Sequence, residues 1–303
     1  MNKVIKLKPS VKSYIWGGEY FRQFGKGNGE DLLSELWELS LRGDDSSIVD
    51  SGEDKGKKLV DVIKDEDIGP VKDSFPFFPI LIKLIDARDN LSVQVHPSDD
   101  YALSREHSFG KSEMWHIIDC DPGCGVYVGF NKDYTKEEVE KRLRNNTLLE
   151  ALNFYESKPG DTYIITPGTI HAIGKGVRLI EIQQNSDLTY RLYDYLRKDK
   201  FGNYRELHID KALDVIDYKT YKKPIINSDL LMDCKYFTVK RVNVNNELEL
   251  NANGDSFISF TFLEGEGNVD DLPYKQFDTF FLPYGKKCVI KGTGVVVISS
   301  VRK

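Results

Sequence analysis

Two histidines, a glutamate and a glutamine occur in or beside short apolar segments of the 303-residue sequence. In the first segment, strand alternation would place Ser92, Gln94 and His96 on one face and the apolar residues between them on the other. Glu113 begins a second segment, and His171 follows a Pro-Gly turn. Two imidazoles, an amide oxygen and a carboxylate are ligands that suit a divalent transition metal. If three short strands bring them together, the sequence predicts one metal centre.

The other three histidines lack such surroundings. His116 is one residue out of phase with Glu113 and Trp115, so we expect it to face away from the centre. His107 and His208 lie in polar sequence that is typical of exposed positions.

Short segments with a period of two residues, bounded by Gly, Pro, Asn or Asp, dominate the rest of the chain and predict strands. These segments are ILIKLI (80–85), LSVQVH (91–96), MWHIID (114–119), TYIIT (162–166), VRLIEI (177–182) and VVVISS (295–300). Helical patterning is confined to two places. Thr135 and Glu138 form a capping box at the start of a helix predicted over 134–149, and a shorter helix is predicted over 206–216.

An internal repeat indicates two related β-barrels. Asp161–His171 aligns without a gap on Asp278–Cys288. The polar, proline-containing segment 218–227 suits a linker, so we place a boundary near residue 222. Residues 1–222 would form the catalytic domain, with a helical insertion around 134–152. Residues 223–303 would form a second barrel without a metal site, since Cys288 stands where the first barrel has His171.

Composition excludes several classes of protein. Lys and Arg number 42 against 48 Asp and Glu, a net charge of −6 without a long block of like charge, so a nucleic-acid surface is unsupported. No apolar stretch approaches the ~20 residues that span a bilayer, and the N-terminus lacks the apolar core of a signal peptide. The four cysteines lack CxxC spacing and are interpreted as reduced thiols. We expect a cytoplasmic protein, a monomer or weak homodimer, that binds neither nucleic acid nor membrane.

Four ordered motifs carry a family resemblance. LSVQVHPSDDYA, GKSEMW, PGTIHAIG and NSDLTYRLYDY, in that order, resemble the short bacterial type I mannose-6-phosphate isomerases, which are cupin proteins. The likeness extends from about Ile15 to the C-terminus. It implies a mainly β fold of two cupin-like, jelly-roll barrels. It also implies an enzyme that interconverts mannose 6-phosphate and fructose 6-phosphate.

The resemblance also assigns residues. It implies one metal per chain, usually zinc, with other divalent transition metals as alternatives. Its ligands would be Gln94, His96, Glu113 and His171. It further points to Arg191 as a catalytic residue that binds substrate, and to Lys111 and Ser92 near the substrate phosphate.

Aldose–ketose isomerisation requires a base that moves a proton between C1 and C2, and a cation or Lewis acid that stabilises the enediolate. Arg191 would supply a cation that stays protonated. For the base we favour Glu181, ten residues before Arg191, with Lys111 and Asp187 as the other candidates. Gly110 stands where longer members of the family have a histidine, so one candidate base is missing.

Two other functions fit part of the pattern. His96, Glu113 and His171 form a two-histidine, one-carboxylate set of the kind found in Fe(II) oxygenases. Gln94 as a fourth ligand argues against that class, and turnover of a sugar phosphate without oxygen would separate the two. A non-catalytic sugar-binding cupin is the second alternative, because a fold does not imply an activity.

Overall fold

The computed structural model describes residues 1, 3–27, 29, 32–75, 77–199, 201–226 and 228–302. Antiparallel strands make up most of its regular secondary structure, which confirms the predicted mainly β fold class. The strands are β1 (Ile5–Lys8), β2 (Ser10–Lys12), β3 (Glu35–Leu39), β4 (Ile48–Val49), β5 (Ile80–Ala87), β6 (Val93–Val95), β7 (Glu113–Cys120), β8 (Gly125–Phe130), β9 (Leu152–Glu156), β10 (Thr162–Ile165), β11 (His171–Ile173), β12 (Val177–Gln184), β13 (Tyr190–Tyr193), β14 (Leu230–Asp233), β15 (Phe237–Asn251), β16 (Ile258–Val269), β17 (Leu272–Tyr274), β18 (Thr279–Leu282) and β19 (Lys287–Val301). The last residue of the predicted linker, Asn227, lies outside these ranges.

The helices are short. They are α1 (Leu59–Val62), α2 (Asp65–Ile68), α3 (Asp99–Arg105), α4 (Lys136–Arg144) and α5 (Ile209–Val215), with 3₁₀ turns at Tyr20–Phe24, Gly43–Asp45, Pro70–Ser74 and Leu148–Ala151. The predicted capping box is present at α4, where Thr135 N–H donates to Glu138 and Glu138 N–H donates to Thr135 Oγ1. None of the helices in the described ranges is long and apolar enough to cross a membrane.

Two sheets form the barrel that carries the predicted metal ligands. One has the strand order β10-β7-β12-β5-β3-β2 and the other β13-β6-β11-β8-β9. The central strands β5 and β12 pair from Val177 opposite Ala87 to Gln184 opposite Ile80. Every residue of β5 is buried, as its almost continuous apolar sequence requires.

The third sheet contains most of the C-terminal residues, in the order β14-β15-β19-β16-β18-β1-β4, with β17 paired to β16. Its long strands β15 and β19 pair from Phe237 opposite Val301 to Asn251 opposite Lys287. Strands β1 and β4 come from the first fifty residues and join this sheet through β18. The two predicted domains therefore share strands, and the boundary near residue 222 stays a prediction.

The predicted repeat has a local counterpart in the structure. Lys158 N–H donates to the Asp161 carboxylate at 3.0 Å, and Lys275 N–H donates to the Asp278 carboxylate at 2.9 Å. The same turn therefore precedes β10 in the first barrel and β18 in the C-terminal sheet.

The C-terminal sheet and the first barrel share one apolar core. Met114 and Ile182 from the six-stranded sheet belong to the same cluster as Phe237, Val239 and Val297. Because β7 also begins with Glu113, the packing of the C-terminal sheet reaches the strand that carries a predicted metal ligand.

Candidate metal centre and adjoining cavity

Strand register brings the predicted ligands together. Gln94 on β6 lies opposite His171, the first residue of β11, and also opposite Arg191 on β13. His96 follows β6 directly, and Glu113 is the first residue of β7 in the facing sheet. The site therefore lies between the two sheets of the first barrel, where strands of both sheets begin or end.

The three strongest donors converge on one point. Ligand atoms of His96, Glu113 and His171 all lie within 4.8 Å of one another. Glu113 Oε2 is 3.5 Å from His96 Nε2, and Glu113 Oε1 is 3.4 Å from His171 Nε2. The side-chain amide of Gln94 lies 3.2 Å from His171 Nε2. The predicted ligand set is thus assembled.

Polar atoms at this point lack partners within the protein. Among the described residues, His96 Nε2 and Glu113 Oε1 are fully buried and make no hydrogen bond. Buried polar atoms in native proteins are almost always satisfied by protein, water or an ion. A bound metal ion fits the orphaned atoms, since imidazole nitrogen and carboxylate oxygen are ligands that zinc and similar ions take.

The outer nitrogens of both imidazoles are held by the backbone. His96 Nδ1 lies 2.7 Å from the Leu188 carbonyl oxygen, and His171 Nδ1 lies 2.8 Å from the Thr169 carbonyl oxygen. A protonated Nδ1 donating to these oxygens leaves the Nε2 lone pair for a metal, the arrangement usual for metal-binding histidines. Burial lowers the pKa of His96 and lowers that of His171 to about 3, so both rings are neutral.

Lys111 lies against the ligand carboxylate. Its Nζ is 2.7 Å from Glu113 Oε2 and 3.8 Å from Glu181 Oε1, and its side chain is buried. Burial raises the pKa of Glu113, but Lys111 and His96 outweigh that effect and hold it well below the usual value. The family resemblance implies that Lys111 lies near the substrate phosphate, and in the structure its ammonium group lies beside the predicted metal ligand Glu113.

A cavity of about 300 Å³ opens beside the centre. Its lining includes every residue predicted for substrate binding or catalysis, namely Ser92, Lys111, Glu181 and Arg191, together with Gln94. Sequence reasoning missed several other lining residues, among them Tyr14, Trp16, Glu35, Trp37, Lys83 and Arg205. A signal for Lys83 was present, because it is the one charge inside the apolar run ILIKLI.

Arg191 projects to the cavity without a carboxylate partner. Its Nε donates to Ser92 Oγ at 3.2 Å and its Nη1 to the Glu206 carbonyl oxygen at 2.9 Å. Among the described residues no carboxylate oxygen pairs with it. Burial lowers the pKa of Arg191, and the nearby charge of Arg205 adds to this effect. A half-buried guanidinium in this situation suits an anionic ligand.

Arg205 adds a second guanidinium group to the lining of the cavity, besides that of Arg191. Its Nε and Nη2 donate to the Asp194 carboxylate at 2.7 and 2.5 Å, and Arg197 Nη2 donates to the same carboxylate at 2.5 Å. Arg197 also pairs with Asp89 at 3.3 Å, so the three guanidinium groups of Arg191, Arg197 and Arg205 meet two carboxylates and leave an excess of one positive charge. Arg205 lies in the segment between β13 and α5. This segment has no periodic pattern in the sequence from which the direction of the Arg205 side chain could be predicted.

Glu181 is enclosed by donors and cations. Its carboxylate accepts from Trp115 Nε1 at 2.8 Å and lies 3.2 Å from Lys83 Nζ. Burial would lower the pKa of Lys83, but the carboxylates of Glu35 and Glu181 outweigh burial and raise it. Two ammonium groups, those of Lys83 and Lys111, thus lie within 4 Å of the Glu181 carboxylate.

Two residues considered in the sequence lie apart from this centre. Asp187, a candidate base, reaches the cavity rim, where its exposed carboxylate pairs with Arg42 at 2.5 Å. His116 faces the other side of its sheet, as expected, and its Nδ1 lies 2.8 Å from Thr162 Oγ1.

Known proteins with similar sequence and structure agree on one family. Residues 4–112 match the family described as phosphomannose isomerase type I, catalytic domain. The chain is 36% identical over 295 residues to the mannose-6-phosphate isomerase of Bacillus subtilis, covering 92% of each sequence. It is 33% identical over 283 residues to that of Streptococcus mutans, covering 89% of this chain and 87% of the relative. A crystal structure of the mannose 6-phosphate isomerase from Bacillus subtilis matches with a TM-score of 0.86 at 33% identity, covering 98% of this chain and 99% of that one.

Proposed function

This chain belongs to the type I mannose-6-phosphate isomerase family, and we propose that it interconverts mannose 6-phosphate and fructose 6-phosphate in the cavity beside the His96–Glu113–His171 centre. The observation that carries the proposal is the pairing of buried metal-binding atoms with a cation-lined cavity. A Lewis acid next to fixed cations suits a reaction that passes through an enediolate.

Zinc is the metal we propose, one ion per chain, with other divalent transition metals as alternatives. His96, Glu113 and His171 would hold it, and Gln94 would be the fourth ligand. A half-turn of the Gln94 amide exchanges its nitrogen and oxygen, which would direct the oxygen at the same point. When bound, the ion would supply Lewis acidity toward the oxygens of the sugar. Three neutral ligands and one carboxylate leave the centre a net positive charge, which favours that chemistry.

Side chains of the protein would carry out the proton transfer and stabilise the enediolate. Glu181 would take the proton at one sugar carbon and return it to the other, and its position on the cavity wall supports this role. Its contacts with Lys83 and Lys111 would hold the carboxylate in place on the cavity wall. Arg191 would stabilise negative charge on the enediolate oxygens, because its planar guanidinium stays protonated.

We propose that the phosphate binds to the positively charged side chains that line the cavity. Ser92, Lys111 and Arg191 are the predicted contacts, and we add Arg205 because it lines the same cavity. Lys111 is also next to the predicted metal ligand Glu113. If the phosphate binds at the two arginines alone, Lys111 would instead lie close to the sugar oxygens, and the kinetics of Lys111→Ala distinguish the two arrangements.

A coupled assay for fructose 6-phosphate tests the function. The purified protein is supplied with mannose 6-phosphate under anaerobic conditions, with and without a chelator. We expect turnover that the chelator abolishes and added zinc restores. Turnover that needs oxygen would favour the Fe(II) oxygenase, and binding of the sugar phosphate without any turnover would favour a non-catalytic cupin.

A further inference from the structure

A phenol from the C-terminal sheet reaches the part of the first barrel that carries the metal ligands. Tyr236 lies in the turn between β14 and β15. Its hydroxyl donates to Asp99 Oδ2 at 2.5 Å. The next residue, Phe237, is fully buried in the core shared by the two sheets, so the base of this turn is firmly anchored.

Asp99 joins two segments that both lead to the centre. It is the first residue of α3 and follows His96 by three positions. Its Oδ1 accepts from the Gly110 N–H at 2.9 Å, while the Lys111 N–H donates to the Pro97 carbonyl oxygen at 3.1 Å. The segment after the ligand His96 therefore lies along the segment that carries Lys111.

This approach of the two segments requires glycine at position 110. A Cβ added to Gly110 would lie 2.5 Å from the Asp99 nitrogen and 2.5 Å from the Ser98 carbonyl carbon. Backbone atoms cannot yield to such a contact as a flexible side chain could. The glycine that replaces a candidate base of longer relatives thus has a structural role here.

Gln184 fixes the other side of the same segment. Its side-chain nitrogen donates to Asp99 Oδ1 at 3.2 Å, and its side-chain oxygen accepts from the Ser112 N–H at 2.7 Å. The Gln184 N–H also donates to the Ser112 carbonyl oxygen at 3.0 Å. Residues 110 and 112 are therefore both held, and Lys111 lies between them.

We propose that Tyr236 is a positioning residue for the isomerisation site. Its phenol orients the carboxylate of Asp99. Asp99 and Gln184 in turn fix the backbone from which Lys111 and Glu113 project. This inference rests on the proposed function of the centre. It gives the C-terminal sheet a part in catalysis beyond covering apolar surface, because small displacements of catalytic groups cost large factors in rate.

The test compares two tyrosines of the C-terminal sheet. Tyr236→Phe removes only the hydroxyl that reaches Asp99. Tyr274→Phe is the matched control, since that hydroxyl donates to the Thr293 carbonyl oxygen within the C-terminal sheet, at 3.3 Å. For each variant kcat and KM for mannose 6-phosphate, zinc affinity by chelator competition and the thermal midpoint are measured.

We expect Tyr236→Phe to lower kcat about 10-fold and to weaken zinc binding, with a smaller change in KM, as for other residues that orient metal ligands. Tyr274→Phe should leave kcat and zinc affinity unchanged. Wild-type kcat and zinc affinity in Tyr236→Phe, or equal losses in both variants, would overturn the proposal. An inactive wild-type protein would instead refute the proposed function, and zinc affinity would still report on the positioning role.

Asp99→Asn alters the same hydrogen bond from the side of the first barrel, and it tests the proposal even if Tyr236→Phe does not fold. It keeps an oxygen for Gly110 but loses the carboxylate that the phenol orients. We expect a similar loss of kcat, and in the double variant no greater loss than in the more affected single variant. Fully additive losses would show that the two residues act separately and would contradict the proposal.

Discussion

His96 Nε2 faces Glu113 Oε2 across 3.5 Å, and the two side chains come from opposite sheets of the first barrel. Metal bound between them would therefore tie the sheets together as well as activate substrate. The metal content of the protein should therefore depend on both histidines. His96→Ala and His171→Ala should each abolish zinc retention and isomerase activity, because each removes one of the three converging donors.

Metal analysis and the coupled assay check this prediction. Gln94→Ala should lose less of both, since a neutral amide oxygen is the weakest donor of the set and water can replace it. His107→Ala is the control, because His107 is exposed and belongs neither to the converging ligands nor to the cavity lining, and it should behave as wild type. Zinc retained by both His96→Ala and His171→Ala would mean that the ligands are wrongly assigned.

Arg191→Lys should lower kcat strongly and leave zinc content unchanged. Lysine keeps the charge but lacks the planar fork that holds Ser92 and the Glu206 carbonyl while facing the cavity. Steady-state kinetics with metal analysis of the same preparation separate the two effects. A kcat close to wild type would show that Arg191 is structural.

Arg205→Ala should raise KM for mannose 6-phosphate about 10-fold with little change in kcat, the cost of one charge-assisted contact to phosphate. The fold should persist, because Arg197 still pairs with Asp194. Arg144→Ala, on the exposed face of α4, is the control. An unchanged KM would remove Arg205 from the phosphate site.

Lys111→Ala should mainly raise KM if Lys111 binds the phosphate, as its motif implies. The same kinetic measurements on this variant decide the point. If kcat falls while KM stays the same, Lys111 acts on the reacting oxygens near the metal and the phosphate contact is refuted.

His116 should make the fold less stable in acid. Burial, with the charge of Arg241, lowers its folded pKa to about 4, whereas an unfolded histidine titrates near 6.5. Between these values the unfolded chain binds the proton and the folded chain does not, so stability falls as pH drops from about 6.5 to 4. By pH 5 the loss from this residue should reach about 2 kcal/mol.

Denaturant unfolding of the wild type and of His116→Gln at pH 7 and pH 5 measures this loss. The variant cannot titrate at this position, so its free energy of unfolding should fall by about 2 kcal/mol less between the two pH values. Equal losses in the two proteins would show that His116 is protonated or exposed in the fold.

The strands of the first barrel were the elements that the sequence predicted best. Segments such as ILIKLI were predicted as strands from their short length, β-branched residues and bounding turn residues, and the structure shows in addition that β5 is buried along its whole length. The ligand set followed from alternation in one segment and from the family motifs. Helix α3 escaped notice, since seven residues are too few to show a helical period.

Positions set by tertiary packing could not be read in this way. Lys111 lies within the GKSEMW motif, yet its contact with Glu113 depends on how Asp99 and Gln184 hold the backbone. Arg205 reaches the cavity only because the chain folds back after β13. The pairing of β1 with β18 joins residues from opposite ends of the sequence, which no local pattern encodes.

That last pairing sets an order of events during synthesis. Strand β1 is synthesised before its partner in β18, Thr279–Leu282, and the whole first barrel lies between them in the sequence. Until then an apolar edge that includes Leu7 has no neighbour on that side and is open to pairing with other chains. Contacts this distant in sequence also slow folding. The nascent chain therefore carries an open strand edge until β18 has been made and pairs with β1.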